Sequence, residues 1–261
     1  MQTDILPRML RKDRLLAALA LAAVSLFAWT YTVFGVGMNM SAIDMTGMPS
    51  DMPMPGVDWT PVNGLLMFAM WWVMMVAMML PSAAPMLLLY QRVAARRNPD
   101  RHNIDMSLFA AGYLAIWAVF SLAATMLHAA GEVSGWINGM MVSASATLNA
   151  VLLIAAGIWQ MTPVKHRCLE ACRAPVAFLS RIWLPGTWGA FRMGISHGMF
   201  CVGCCWAMML LLFVGGVMNL YWIVGLALFA LAEKLMPGWP LFDRLVGGAL
   251  ILAGAIVLLS A

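Results

Sequence analysis

A long apolar run between Arg192 and Glu233 contains no charged side chain, and residues 196–209 within it read SHGMFCVGCCWAMM. A helix is the form that satisfies the backbone of such a run in lipid. At about 100° per residue, one helical face carries an imidazole, two thiols and a thioether. These groups belong to His197, Cys201, Cys204 and Met208, and Cys205 lies beside them. Cysteine and methionine also serve as packing residues, but soft donors in this pattern suit Cu(I). We therefore predict a copper site here.

The composition is typical of a polytopic membrane protein. Of the 261 residues, 63% are hydrophobic and only 10% are charged, and the mean hydropathy is +0.87. A soluble domain carries about a quarter charged residues. The five cysteines are odd in number and fall into two groups, which is unlike the disulfide framework of a secreted protein.

Hydropathy predicts an all-α bundle of about seven transmembrane helices, forming one membrane domain over residues 1–261. The predicted spans cover residues 15–36, 107–127, 141–161, 220–235 and 245–260, a span that begins near residue 62, and the helix that contains residues 196–209. With a cytoplasmic N-terminus, all 15 Lys and Arg residues fall on the cytoplasmic side, as the positive-inside rule requires. The C-terminus would then lie outside. The pI near 9.0 would reflect this topology and contact with anionic lipid, and not binding of nucleic acid.

The first outer connection, residues 37–60, is rich in methionine, proline and aspartate and has no Lys or Arg. Its proline spacing excludes a continuous helix, so we expect a flexible loop in which methionine gains little from packing. Thioethers bind Cu(I) and stay neutral at any pH. The loop is therefore predicted to capture copper through Met38, Met40, Met45, Met48, Met52 and Met54.

The second span carries a methionine stripe, which could equally be packing or a conduction path. Its members are Met67, Met70, Met74 and Met78, with Met75 and Met79 beside them. Pro81 and Pro85 follow, and two prolines four residues apart are expected to kink or break the helix near its inner end.

A basic inner loop at residues 163–192 contains His166, Cys168 and Cys172. If this part is helical, the two thiols lie one turn apart and can share a metal ion. They could equally be two cytosolic thiols without a task.

Two motifs together carry a resemblance to a known family. Residues 70–85 read MWWVMMVAMMLPSAAP and residues 197–206 read HGMFCVGCCW. The chain resembles the bacterial integral membrane proteins grouped as domain of unknown function 2182, which are described as predicted metal-binding proteins. The resemblance covers most of the chain from about residue 60 onward, and it implies a metal and a membrane but no established reaction.

The sequence thus predicts a copper-handling protein of the inner membrane that moves or delivers Cu(I). It predicts no catalytic residue, and the expected partners are the metal ion, membrane lipid and a periplasmic copper chaperone or a cuproenzyme. Two alternatives stay open. One is a membrane thiol-disulfide oxidoreductase that uses the C-x-x-C pair Cys201 and Cys204, and the other is a copper-delivery or assembly subunit that does not transport.

Overall fold

The computed structural model describes residues 5–35, 40–49, 54–236 and 240–260, and within these ranges the regular secondary structure is helical apart from one isolated β-bridge. The expectation of an all-α protein is confirmed. The helices are α1 (Ile5–Phe34), α2 (Ala42–Gly47), α3 (Pro61–Arg97), α4 (His102–Val133), α5 (Ala146–Gln160), α6 (Pro163–Arg173), α7 (Pro175–Ile182), α8 (Gly186–Leu210), α9 (Leu212–Gly215), α10 (Leu220–Leu235) and α11 (Pro240–Ser260).

Several of these helices are long and apolar enough to cross a membrane. Five stretches qualify in the described part of the chain, namely Leu15–Phe34, Pro61–Arg97, His102–Val133, Gly186–Gly215 and Leu241–Ser260. A sixth span would require α5 and α6 to act together, and they are bent by 65° at their junction. The 16 residues of α10 rise about 24 Å, which is short for a hydrocarbon core of about 30 Å.

The two ends of the bundle differ in chemistry. Residues 40–49, 54–60, 134–145 and 211–219 lie together at one end, which we call the methionine end. There Leu220 N donates to Thr46 Oγ1 at 2.8 Å and Val217 N donates to the Met141 carbonyl at 3.2 Å. The opposite end, which we call the arginine end, carries Arg96 and Arg97 at the end of α3.

The loop expected to be flexible is anchored where the structure describes it. Helix α2 forms there behind a capping box made by Ser41 and Asp44, and the Met45 side chain is only 9% exposed. Met45 therefore does gain packing, contrary to the expectation from sequence. Met38 and Met52 lie outside the described residues.

The second span is not broken, because α3 continues as one helix through Pro81 and Pro85, and a kink at these prolines stays a prediction. Prolines are tolerated in membrane helices where neighbouring groups satisfy the backbone. The carbonyls that lose an N–H donor to Pro81 and Pro85 are those of Ala77 and Pro81, four residues earlier. Close by, the hydroxyls of Ser82 and Tyr113 both donate to the Met79 carbonyl, at 2.8 and 3.2 Å. The fourth predicted span also differs, because α5 begins at Ala146 and not near Met141, which lies in a turn with a φ of 59°.

Glycines set how closely α8 approaches α4. A Cβ added at Gly194 would lie 2.0 Å from the Phe109 carbonyl oxygen, and one added at Gly112 would lie 2.3 Å from the Phe191 carbonyl oxygen. Small residues permit this kind of backbone contact between membrane helices. The contact fixes the cysteines of α8 against the aromatic face of α4.

Candidate metal centre

Three cysteines of α8 gather on the buried side of that helix. The Cys201, Cys204 and Cys205 side chains are each 1% exposed. The thiols of Cys204 and Cys205 both donate to the Cys201 carbonyl at 3.0 Å. All five cysteines of the chain are free thiols. The sequence placed Cys205 beside the main face of the helix, yet its thiol belongs to this group.

Helix α6 adds a fourth thiol to the same place. The segment that contains Cys168 and Cys172 is helical, so these two residues lie one turn apart. The Cys172 thiol lies close enough to the thiols of Cys201 and Cys204 to interact with them electrostatically. The Cys168 sulfur instead faces Gly203, where an added Cβ would lie 2.9 Å away. The two predicted cysteine sites are thus a single cluster, which we call the thiol cluster: Cys172, Cys201, Cys204 and Cys205.

Helix α3 brings a thioether to the thiol cluster. The Met79 sulfur lies 3.9 Å from the Cys205 sulfur, whereas the sequence pointed to Met70, Met74 and Met78 as donors. Those three are buried on α3, at 2%, 0% and 2% exposure. They lie on the approach to Met79, nearer the methionine end.

A buried lysine completes the surroundings of Cys201. The Lys234 ammonium of α10 lies 3.1 Å from the Cys201 sulfur, 3.6 Å from the Met79 sulfur and 2.9 Å from Ser82 Oγ. The Tyr113 hydroxyl lies 3.2 Å from the same Cys201 sulfur. An ammonium in an apolar interior needs an anionic partner, and a thiolate of this cluster can provide it.

These donors fit a soft monovalent cation. Thiolate and thioether sulfur select Cu(I), and a thiolate offsets the charge that such an ion brings into an apolar interior. Among the described residues, no three His, Cys, Asp or Glu side chains are arranged to hold one ion together. The thiols therefore suit the low coordination numbers of Cu(I), as pairs or with Met79, better than the four-ligand shell of Zn²⁺.

His197 lies beside the thiol cluster and among aromatic rings. Its imidazole lies 5.6 Å from the Tyr113 ring, 5.4 Å from the Phe178 ring and 6.0 Å from the Phe109 ring, between centroids. Met208, at 5% exposure, lies one turn beyond Cys204 toward the methionine end. Both remain predicted ligands.

His166 points elsewhere, because its Nδ1 lies 3.5 Å from an Asp243 carboxylate oxygen. Nearby, Lys165 pairs with Glu233, and Gln160 donates to the same Glu233 oxygen. This buried ion-pair network ties α5, α6 and α10 together at the arginine end of the thiol cluster. It orders α6, the helix that carries Cys172.

A second group of sulfur atoms lines a cavity of about 290 Å³ at the methionine end. We call this cavity the methionine chamber. Its thioethers belong to Met40, Met45, Met54, Met67 and Met141. Three of them were predicted from the loop, and α3 and the turn before α5 supply the other two. Met48 packs against the core and does not line the chamber.

Sequence reasoning missed several residues of the centre. Lys234 and Tyr113 contact the Cys201 sulfur, and Ser82 contacts Lys234. None of the three was predicted as part of the site. Lys234 could have been found from the sequence, because an ionisable residue inside an apolar helix is by default a candidate functional residue. Met79 belonged to the methionine stripe, but its helical position alone did not distinguish it from Met78.

Comparison with known proteins identifies a family. Neither a curated protein nor a solved structure matched the chain. The family model PpoB2, described as a copper chaperone, matches residues 68–257. The matched region includes all of the thiol cluster, Met79 and Lys234. The match confirms a copper-related family, and it does not carry the name domain of unknown function 2182. Since it spans well over half of the chain, the protein belongs to the PpoB2 family of copper chaperones.

Proposed function

We propose that the protein binds Cu(I) at the thiol cluster and holds it within the inner membrane for delivery. The observation that carries this proposal is the meeting of four thiols from α6 and α8 with the Met79 thioether. A copper chaperone needs a site that binds its metal and can also release it. A buried group of sulfur donors that holds the cation by two of its members at a time can both bind the ion and release it.

The methionines of α3 would connect the chamber to the thiol cluster. Met67 lines the chamber, and Met70, Met74 and Met78 follow it along the buried side of α3 toward Met79. From Met67 to Met79 the helix rises about 18 Å. Thiolates bind Cu(I) more tightly than thioethers, so copper entering at the chamber would move toward the thiols.

The proposed topology is the one expected from charge. Seven helices would cross the bacterial inner membrane, with a cytoplasmic N-terminus and the methionine end facing the periplasm. The segments at the methionine end, residues 40–49, 54–60, 134–145 and 211–219, have no Lys or Arg. A periplasmic copper chaperone or a cuproenzyme would exchange copper at this end, while movement to the cytoplasm would use the arginine end beside Cys168.

A thiol-disulfide oxidoreductase is the second candidate, and one observation favours it. Cys201 belongs to a C-x-x-C pair and has the Lys234 ammonium 3.1 Å from its sulfur, an environment typical of reactive thiols. Both cysteines are 1% exposed, however, so a partner thiol or quinone could not reach them without opening the bundle.

Copper content and thiol exchange, measured on the same purified variants, separate the two functions. We expect Cys201→Ser and Cys204→Ser each to lose most of the Cu(I) bound by the wild-type protein in detergent, while size-exclusion profile and helicity are retained. Unchanged copper together with lost disulfide exchange would favour the oxidoreductase.

A further inference from the structure

One buried histidine outside the thiol cluster has no partner. His128 lies near the end of α4, is 0% exposed, and neither of its ring nitrogens has a hydrogen-bond partner among the described residues. Burying a polar group without a partner costs about 1–3 kcal/mol. If this position needed only an aromatic ring to fill the space, phenylalanine there would make the protein more stable, so the imidazole indicates a ligand.

Aromatic rings hold this imidazole in place. The Trp59 ring meets it edge-on at 5.6 Å between centroids, and the Phe213 ring does so at 6.0 Å. Glu132, one turn after His128, accepts hydrogen bonds from Val57 N at 2.6 Å and from Trp59 Nε1 at 2.8 Å. Both of its carboxylate oxygens are thus engaged with the segment that precedes α3. Trp59 is thereby fixed over the imidazole.

The same segment forms the wall of the methionine chamber. Met54, Val57 and Asp58 line the chamber directly, and Gly139, another lining residue, packs on the Met54 backbone. The Phe213 ring also lies 5.2 Å from the Trp71 ring, next to Met70 on α3. His128 therefore packs against Trp59, which follows the lining residue Asp58, and against Phe213, which contacts Trp71 of α3.

We propose that His128 is a ligand of a second Cu(I) site at the methionine end, where thioether sulfurs of the methionine chamber complete the coordination. Imidazole nitrogen and thioether sulfur are both neutral donors. Such a site binds copper without the charge of a thiolate, and hence more weakly than the thiol cluster. Cu(I) would bind at this site first and then pass along the methionines of α3 toward Met79. This inference rests on the copper role proposed above.

The test uses the full-length protein with all four residues of the thiol cluster replaced by serine. Cu(I) under reducing conditions is titrated against a competing chelator. We expect this variant to keep one bound ion, and His128→Phe added to it to weaken the binding by about tenfold or more, as loss of a ligand does. His102→Phe at the start of α4 removes an imidazole from the arginine end and serves as the matched control, with the affinity of the parent variant.

X-ray absorption identifies the ligands and does not depend on the folding of a variant. Once the thiols of the wild-type protein are saturated, the next bound copper should show imidazole scattering. All-sulfur scattering, an unchanged affinity in His128→Phe, or no copper bound by the four-serine variant would each overturn the inference. The copper role of the thiol cluster is tested separately, by the cysteine variants in the wild-type background.

Discussion

Lys234 is the residue that adds most to the site predicted from the cysteine motif. Its ammonium lies 3.1 Å from the Cys201 sulfur and 2.9 Å from Ser82 Oγ, and the side chain is buried. A bound Cu(I) with two thiolates carries a net negative charge, which an adjacent ammonium compensates. Under the proposed function, the lysine would thus allow the apolar interior to hold such a complex.

Replacing Lys234 by methionine keeps the volume of the side chain and removes its charge. Breaking one side of a buried charge pair costs about 3–5 kcal/mol, so we expect Cu(I) affinity to fall by at least about tenfold. Lys234→Arg keeps the charge and should retain more of the affinity. Chelator competition measures both, and an unchanged affinity in Lys234→Met would remove the lysine from the site.

The contact between α4 and α8 positions Tyr113 against Cys201. A methyl group at Gly194 would lie 2.0 Å from the Phe109 carbonyl oxygen, and that backbone atom cannot move without shifting α4. Because overpacking costs about 1–3 kcal/mol, Gly194→Ala should lower the melting temperature in detergent and expose the α8 thiols to alkylating reagents.

The matched control is Gly64→Ala in α3, where an added Cβ meets nothing within 4 Å. Alanine is favoured over glycine in a helix by about 1 kcal/mol, so this variant should be as stable as the wild type or more so. Equal stability of the two alanine variants would show that the glycine contact does not set the position of α8.

The elements differ in how well their sequences predicted them. The α8 cysteines and the helical spacing of Cys168 and Cys172 followed from periodicity, because a helix fixes which of its own residues share a face. The joining of Cys172 to α8 did not follow, since it depends on how α6 turns back after the 65° bend. The unbroken α3 was missed because a proline removes one helical hydrogen bond but does not by itself end a helix within a membrane bundle.

For the whole molecule, the helix directions place the two chain ends on opposite sides. α11 runs antiparallel to α5, with Gly157 against the Gly247 carbonyl and Gly254 against the Ala150 carbonyl, so α11 ends at the methionine end. Reporter fusions at residue 50 and after residue 261 should therefore both report the periplasm. A cytoplasmic signal from residue 50 would reverse the orientation and the direction of copper capture.

The methionine chamber should matter most when copper is scarce. Leucine at positions 40, 45 and 54 keeps the bulk of the side chains and removes three sulfur atoms, so the fold should be retained. We expect copper loading in cells to fall at low external copper and to be near normal at high copper. Equal loading at both levels would show that the chamber plays no part in capture. Leucine at Met48, which packs on the core, is the control.

The central claim is that α6 and α8 together build one Cu(I) site, and Cys172 and Cys168 test it most directly. They lie one turn apart on α6, yet only the Cys172 thiol interacts with those of both Cys201 and Cys204, whereas the Cys168 thiol interacts with that of Cys204. Copper per chain should be measured for purified Cys172→Ser and Cys168→Ser beside the wild type. We predict a clear loss in Cys172→Ser and near wild-type copper in Cys168→Ser. Equal copper in both variants, or a loss confined to Cys168→Ser, would contradict the account.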